Sequence, residues 1–199
     1  AATALWGTQQ LGFAPPGNNK FDGVFGIWYG KGPGVDRTSD VFKHGNMAGT
    51  TPHGGVLAIA GDDHVSKSST AAHQSDLIFK ACGLPVFFPA SVQEVLDFGL
   101  HGFALSRFAS LWSGMKTIQE IVESSATVDI DPEALQVVIP EFEMPSGGLH
   151  IRWPDDPLSQ AMGDYIVYLI ATSFVYSVVF TPGELTTTMA LAFYLAKVA

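Results

Sequence analysis

Between residues 21 and 118, short apolar runs alternate with stretches whose apolar positions recur at helical intervals. The run FDGVFGIWY at 21–29 is nearly all apolar and stops at a glycine, which predicts a strand. Residues 36–48 predict a helix, and its start, Val35-Asp36-Arg37-Thr38-Ser39-Asp40, sets carboxylates where the positive end of a helix dipole favours them. GVLAIA at 55–60 predicts a second strand. Over 73–82, Leu77, Ile78, Ala81 and Cys82 share a helical face, and Gly83 stops the helix. PVFF at 85–88 predicts a third strand. Ser91 and Glu94 have the spacing of a capping box, ahead of Val92, Val95, Leu96, Leu100 and Phe103 at helical intervals. Residues 111–118 predict a fourth strand. Strands alternating with helices predict an α/β fold, a parallel sheet with helices on both faces. The nearly all-apolar strands suit a sheet covered on each side.

The two ends of the chain read differently. The first residues form an Ala-rich, helix-prone stretch with no initiator methionine and no basic start or apolar run of a signal peptide, so the chain is expected to be a fragment or processed piece. Prolines at 140, 145 and 154 and adjacent glycines at 147 and 148 predict a linker over 140–162, separating an α/β domain at 1–139 from an apolar tail at 163–199. Within that tail only Asp164, Glu184 and Lys197 are charged. A hairpin across a membrane, turning at 181–184, is one reading. Buried elements or a foreign fused sequence are the others, and span length and Ser/Thr content weigh against the membrane.

Composition narrows the partners. Lys and Arg total 10 against 19 Asp and Glu, a net charge of −9, which argues against a nucleic acid. Apolar residues make up 47% of the chain and charged ones 15%, so it folds. The 14 Phe predict an exposed apolar surface for a partner. A single cysteine, Cys82, excludes an internal disulfide and a thiolate metal cage, and its helical face makes it a core thiol. The six histidines include no pair at i, i+4 and no HExxH, and no G-x-S-x-G occurs. Trp6, Trp28 and Trp112 read as core.

In a parallel sheet, ligands sit beyond the carboxyl ends of the strands. That rule selects loops at 30–36, 61–73 and 89–91. The first, Gly30-Lys31-Gly32-Pro33-Gly34-Val35-Asp36, has three glycines that would let backbone approach a ligand, although it is neither GxGxxG nor a P-loop. The second is a long polar segment in which Asp63 and His64 are the candidates for proton transfer, and turn-and-cap bonding is the structural alternative. The two segments, 30–36 and 61–74, are expected to line one cleft.

The stretch FDGVFGIWYGKGPGVDRTSDVFKHGNMAGTTPHGGVLAIAGDDHVSKSSTAAHQSD, with AATALWGTQQ before it and PVFFPASVQEVLDFGLHGFALSRF, ESSATVDIDP and GGLHIRWPDDPL after it, resembles indolepyruvate ferredoxin oxidoreductase in its long fused bacterial form. The resemblance covers residues 1–158. It implies a cytoplasmic enzyme that decarboxylates an arylpyruvate on thiamine diphosphate, passes electrons through iron–sulfur clusters to ferredoxin and delivers the acyl group to coenzyme A. The matching part resembles the domain that holds the aminopyrimidine ring. The diphosphate, its magnesium and the clusters belong to domains absent here, so a diphosphate-binding domain is the implied partner. Lys31, Gly32, Pro33, Gly34 and Val35 match the segment that approaches the ring. Asp62, Asp63, His64, Ser68, Ser69 and Gln74 match a polar loop near the cleft. The glutamate that hydrogen-bonds the ring in the family would precede Ala1, and neither Glu94 nor Glu120 replaces it. The family also continues charged where this chain turns apolar. The chain is therefore expected to be inactive alone. The competing readings are a non-catalytic module that binds a partner and a small membrane-tethered protein.

Overall fold

Four apolar runs become four strands, β1 (Phe25–Lys31), β2 (Gly55–Asp62), β3 (Val86–Phe87) and β4 (Trp112–Ile118). The structure is a computed structural model and describes residues 1–11, 19–131 and 137–139. The expected linker at 140–162 and the apolar tail at 163–199 lie outside the described residues. Among the described residues, no helix is long and apolar enough to cross a membrane. The strands form one wholly parallel sheet in the order β1-β2-β4-β3. Helices α1 (Ala2–Thr8), α2 (Gly32–Ala48), α3 (Ser75–Ala81), α4 (Val92–Ala109) and α5 (Gln119–Val122) complete the order.

Side chains alternate across a strand, so each face of β2 has its own cover. Val56, Ala58 and Ala60 point into a cluster with Trp28, Val35, Phe42, Phe79 and Trp112, beneath α1, α2 and α3. At its centre Phe42 is fully buried, with ring centroids 4.9 Å from Trp28, 5.6 Å from Phe79 and 6.0 Å from Trp112. The other face carries α4, whose Leu105 and Ala109 cluster with Leu111, and Ser113 Oγ donates to the Gly102 carbonyl at 2.8 Å. Helices thus cover both faces of the central strands. Among the described residues, β1 is an edge strand well covered on one face only. Its Phe25, Ile27 and Tyr29 are 55%, 52% and 81% exposed beside α4, where Phe25 packs on the Phe103 ring.

Several boundaries differ from the sequence expectation. α2 begins at Gly32 rather than residue 36, so its first turn has no acidic residue. Pro33 suits a first helical turn because its fixed φ is already helical and its missing N–H has no partner to lose. Val35 is fully buried, and winding the helix from Gly32 turns it inward. Ser91 Oγ accepts from Glu94 N at 3.2 Å, but the Glu94 carboxylate accepts from Ala90 N at 2.7 Å, one residue upstream of the expected capping box. Gly83, at φ +75°, follows α3 as its stop. Gln9, 2% exposed, ties the end of α1 to the strands: its Nε2 donates to Val24 O at 2.9 Å and its Oε1 accepts from Gly55 N at 3.0 Å.

Candidate functional site

The parallel register sets Lys31, the last residue of β1, opposite Gly61. The loop leaving β2 therefore rises beside the start of α2. Lys31 Nζ closes the gap, donating to Ser68 Oγ at 2.8 Å and to the Ser68 carbonyl. The two segments expected to share a cleft do share one, of about 630 Å³, at the carboxyl edge of the sheet.

Two adjacent carboxylates shape the loop, and both point away from chemistry. Asp62, 3% exposed, accepts from Ser75 N at 2.8 Å and from Ser75 Oγ at 2.5 Å. It thereby caps α3 from the end of a strand, where the helix offers unpaired amides and a positive dipole end. Asp63 winds the loop itself. Its Oδ1 accepts from Lys67 N at 2.8 Å, and its Oδ2 accepts from Ser68 N at 2.7 Å and Ser68 Oγ at 3.1 Å. The Ser68 amide, with the Lys67 amide, the Ser68 hydroxyl and the Lys31 charge, holds the Asp63 carboxyl below its ordinary 3.8 in spite of desolvation. A carboxylate with both oxygens so occupied is a loop organiser and a poor general base. His64 is exposed and does not line the cleft. Gln74 precedes α3 as its N-cap residue, also away from the cleft.

Of the residues the sequence singled out, Lys31, Pro33, Ser68 and Ser69 line the cleft. Val35 does not line it: it is fully buried in the core. The glycines have a packing cause too. A Cβ at Gly30 would come within 2.5 Å of the Trp28 indole, and one at Gly32 would overlap the His73 ring. Gly34, by contrast, would meet nothing closer than 3.8 Å. Glycine at 30 and 32 thus makes room for two aromatic rings of this chain. The third selected loop, 89–91, also stays apart: Pro89 is fully buried and the Ala90 amide is spent on Glu94.

The sequence reading missed Arg37, Lys67 and His73 as lining residues. His73 Nε2 lies 3.5 Å from Asp36 Oδ2, one helical turn into α2. The missed signal was charge: Lys31, Arg37 and Lys67 are spread over 37 residues of an acidic chain, and only the sheet register brings them together. Among the described residues, no Asp or Glu lines the cleft. An aminopyrimidine ring needs a carboxylate acceptor in its pocket, so the lining residues of this chain do not by themselves fit the ring. Nor do any three His, Cys, Asp or Glu side chains among the described residues stand together as a metal-binding group.

A half-buried ion pair flanks the site on the far side of β2. Lys116 Nζ, near the end of β4, lies 2.7 Å from Asp76 Oδ1 and 4.9 Å from the centre of the Phe88 ring. The Lys116 hydrogen bond and charge hold the Asp76 carboxyl below its ordinary value. Cys82 is buried, and burial pushes its thiol pKa up, as suits a core residue.

No protein-family model, curated protein or solved structure matches this chain. The α/β fold and the cationic cleft are what its own residues establish.

Proposed function

We propose that this domain is one half of a shared thiamine diphosphate site in a 2-oxoacid:ferredoxin oxidoreductase acting on an arylpyruvate such as indolepyruvate, and that it is inactive alone. The observation that carries the reading is the joint cleft at the carboxyl edge of β1 and β2, built from the two segments whose sequence resembles that family. The carboxylate for the ring stands, in the family this chain resembles, just before the segment matching Ala1, and a partner domain supplies the diphosphate site and its magnesium. Thiamine diphosphate, once held between the two domains, supplies the carbanion chemistry and the electron sink. This chain contributes the floor and one rim, with Lys31 clasping the loop at Ser68. The apolar face of β1, left open by the described residues, suits a domain that works inside a larger cytoplasmic assembly feeding ferredoxin.

One observation favours the non-catalytic alternative, a module that binds a partner without chemistry. Asp62 and Asp63, the two carboxylates at the start of the loop after β2, are both consumed by structural hydrogen bonds.

The two readings separate in a titration of the full chain with thiamine diphosphate and Mg²⁺, alone and with the diphosphate-binding domain of such an enzyme added. Heat of cofactor binding only in the mixture supports the split site. Association of the two proteins without cofactor binding supports the module. Neither association nor cofactor binding refutes both.

A further inference from the structure

We infer that the cleft between α2 and the loop after β2 is a binding site for a small oxyanion, a phosphate or carboxylate group, held by Arg37 and Lys67 and independent of any second domain. The inference goes beyond the thiamine reading and does not rest on it. Three positions of an acidic chain with only 10 Lys and Arg line one cleft, as Lys31, Arg37 and Lys67. Among the described residues, neither Arg37 nor Lys67 forms an ion pair. Two cations that face one cleft without ion pairs repel each other, an arrangement that an anion relieves.

A polar group beside the cations points the same way. Ser69 Oγ is enclosed and has no hydrogen-bond partner among the described residues, and Ser69 lines the cleft. An enclosed hydroxyl without a partner is costly, and it is a donor that a bound oxyanion would satisfy. α2 opens at the cleft with Gly32, no side chain caps it, and its first turn contains no acidic residue. Its dipole adds to the same sign. The nearby carboxylates do not compete. Asp63 is saturated by the Lys67 and Ser68 amides, and Asp36 stands beside His73. A cleft of about 630 Å³ admits a small molecule bearing the anionic group as well as a free ion.

The test is isothermal titration of the full chain with inorganic phosphate and, separately, with pyruvate, together with amide chemical shifts of the loop at 67–71. Pyruvate tighter than phosphate names a carboxylate ligand, and the reverse names a phosphorylated one. Arg37→Ala and Lys67→Ala alter exposed side chains, and a thermal melt of each confirms folding. Each is expected to weaken binding about tenfold, the loss of one charge-assisted contact. Raising the salt from low to about 0.5 M weakens it further by screening. Lys80→Ala, at the far end of α3, leaves it unchanged. No binding of either probe on the order of 10 mM, or binding that ignores both substitutions, overturns the proposal. That failure would leave cofactor binding by the two-domain mixture untouched, and failure of the mixture would leave phosphate binding untouched, so the two readings fall separately.

Discussion

Replacing Asp62 by alanine is the sharpest test of how this site is built, because the sequence offers Asp62 to the cleft and the structure gives it to α3. Its carboxylate and its partner Ser75 are both buried. Asp62→Ala strands the Ser75 amide, whose only short polar neighbour is Asp62 Oδ2 at 2.8 Å, and removes the acceptor of the Ser75 hydroxyl. An unsatisfied buried donor costs about 1–3 kcal/mol. Loss of a negative charge at a helix N-terminus adds about 0.3–1 kcal/mol. The hydroxyl can turn to a new acceptor, so the amide carries most of the cost, and the sum is about 3 kcal/mol. For a domain of this size that is a fall in Tm of about 10 °C. Asp62→Asn keeps an acceptor for the amide and loses the charge, so it is expected to cost about half as much. Urea unfolding followed by tryptophan fluorescence gives both values, and hydrogen exchange at Ser75 gives the local one, with fast exchange in the alanine variant and slow exchange in the asparagine variant. An alanine variant within about 0.5 kcal/mol of wild type would refute the capping role and return Asp62 to the cleft.

Three further outcomes follow from the same geometry. Gly32→Ala drives a Cβ into the His73 ring, so it is expected to cost about 1–3 kcal/mol in chemical unfolding and to shift the amides of the loop at 67–71; a neutral variant would show that His73 does not sit on α2. Amide bonds and the Lys31 charge lower the Asp63 carboxyl below 3.8, so its contribution is complete above that pH and is lost as the pH falls through the depressed value; Lys67 and Ser68 are expected to lose hydrogen-exchange protection on acidification before the sheet does, and simultaneous loss would contradict this. Burial lowers the His101 pKa below 6.5 against a partial opposing pull from Asp97, so the native imidazole stays neutral while the unfolded one takes a proton; the urea midpoint is expected to fall as the pH drops below about 6.5, and the idea fails if His101→Leu shows the same fall.

Much of the fold was readable because the strands are short, apolar and bounded by glycine, and because β2 is buried on both faces. β1 shows the limit. Its run reads as a buried strand, yet Phe25, Ile27 and Tyr29 lie on a face that nothing in the described residues covers. Periodicity reports what a face wants, and not whether the chain supplies a cover. The start of α2 was misjudged for a related reason. Three glycines resemble a loop, but two of them make room for rings: Gly30 for Trp28, close by in sequence, and Gly32 for His73, which only the fold brings to it. The candidate site was legible as a pair of segments and not as a set of side chains. Lys31, Pro33, Ser68 and Ser69 were found from their place after strands. Arg37, Lys67 and His73 join them only through the Lys31↔Gly61 register, which no local pattern announces.

The sign of the cleft follows from how its carboxylates are used. Gly-Asp-Asp-His at the end of β2 looks acidic in sequence. Successive residues leaving a strand point to opposite sides, so Asp62 turns inward to the amide and hydroxyl of Ser75 while Asp63 turns to the amides of Lys67 and Ser68. Each charge is met chiefly by N–H dipoles, with Lys31 adding to the hold on Asp63, and Lys67 and Arg37 are left without an ion pair among the described residues. Asp63 also fixes where the cations stand, because the turn it winds presents Ser68 to Lys31 and Lys67 to the cleft. Removing its charge would therefore not strengthen anion binding, as simple Coulomb counting suggests. Asp63→Asn keeps one acceptor for two amides and a hydroxyl, so the loop loosens and the cations disperse. Phosphate binding weaker in Asp63→Asn than in wild type would support that coupling, and tighter binding would show that the carboxylate acts on the cleft only through its charge.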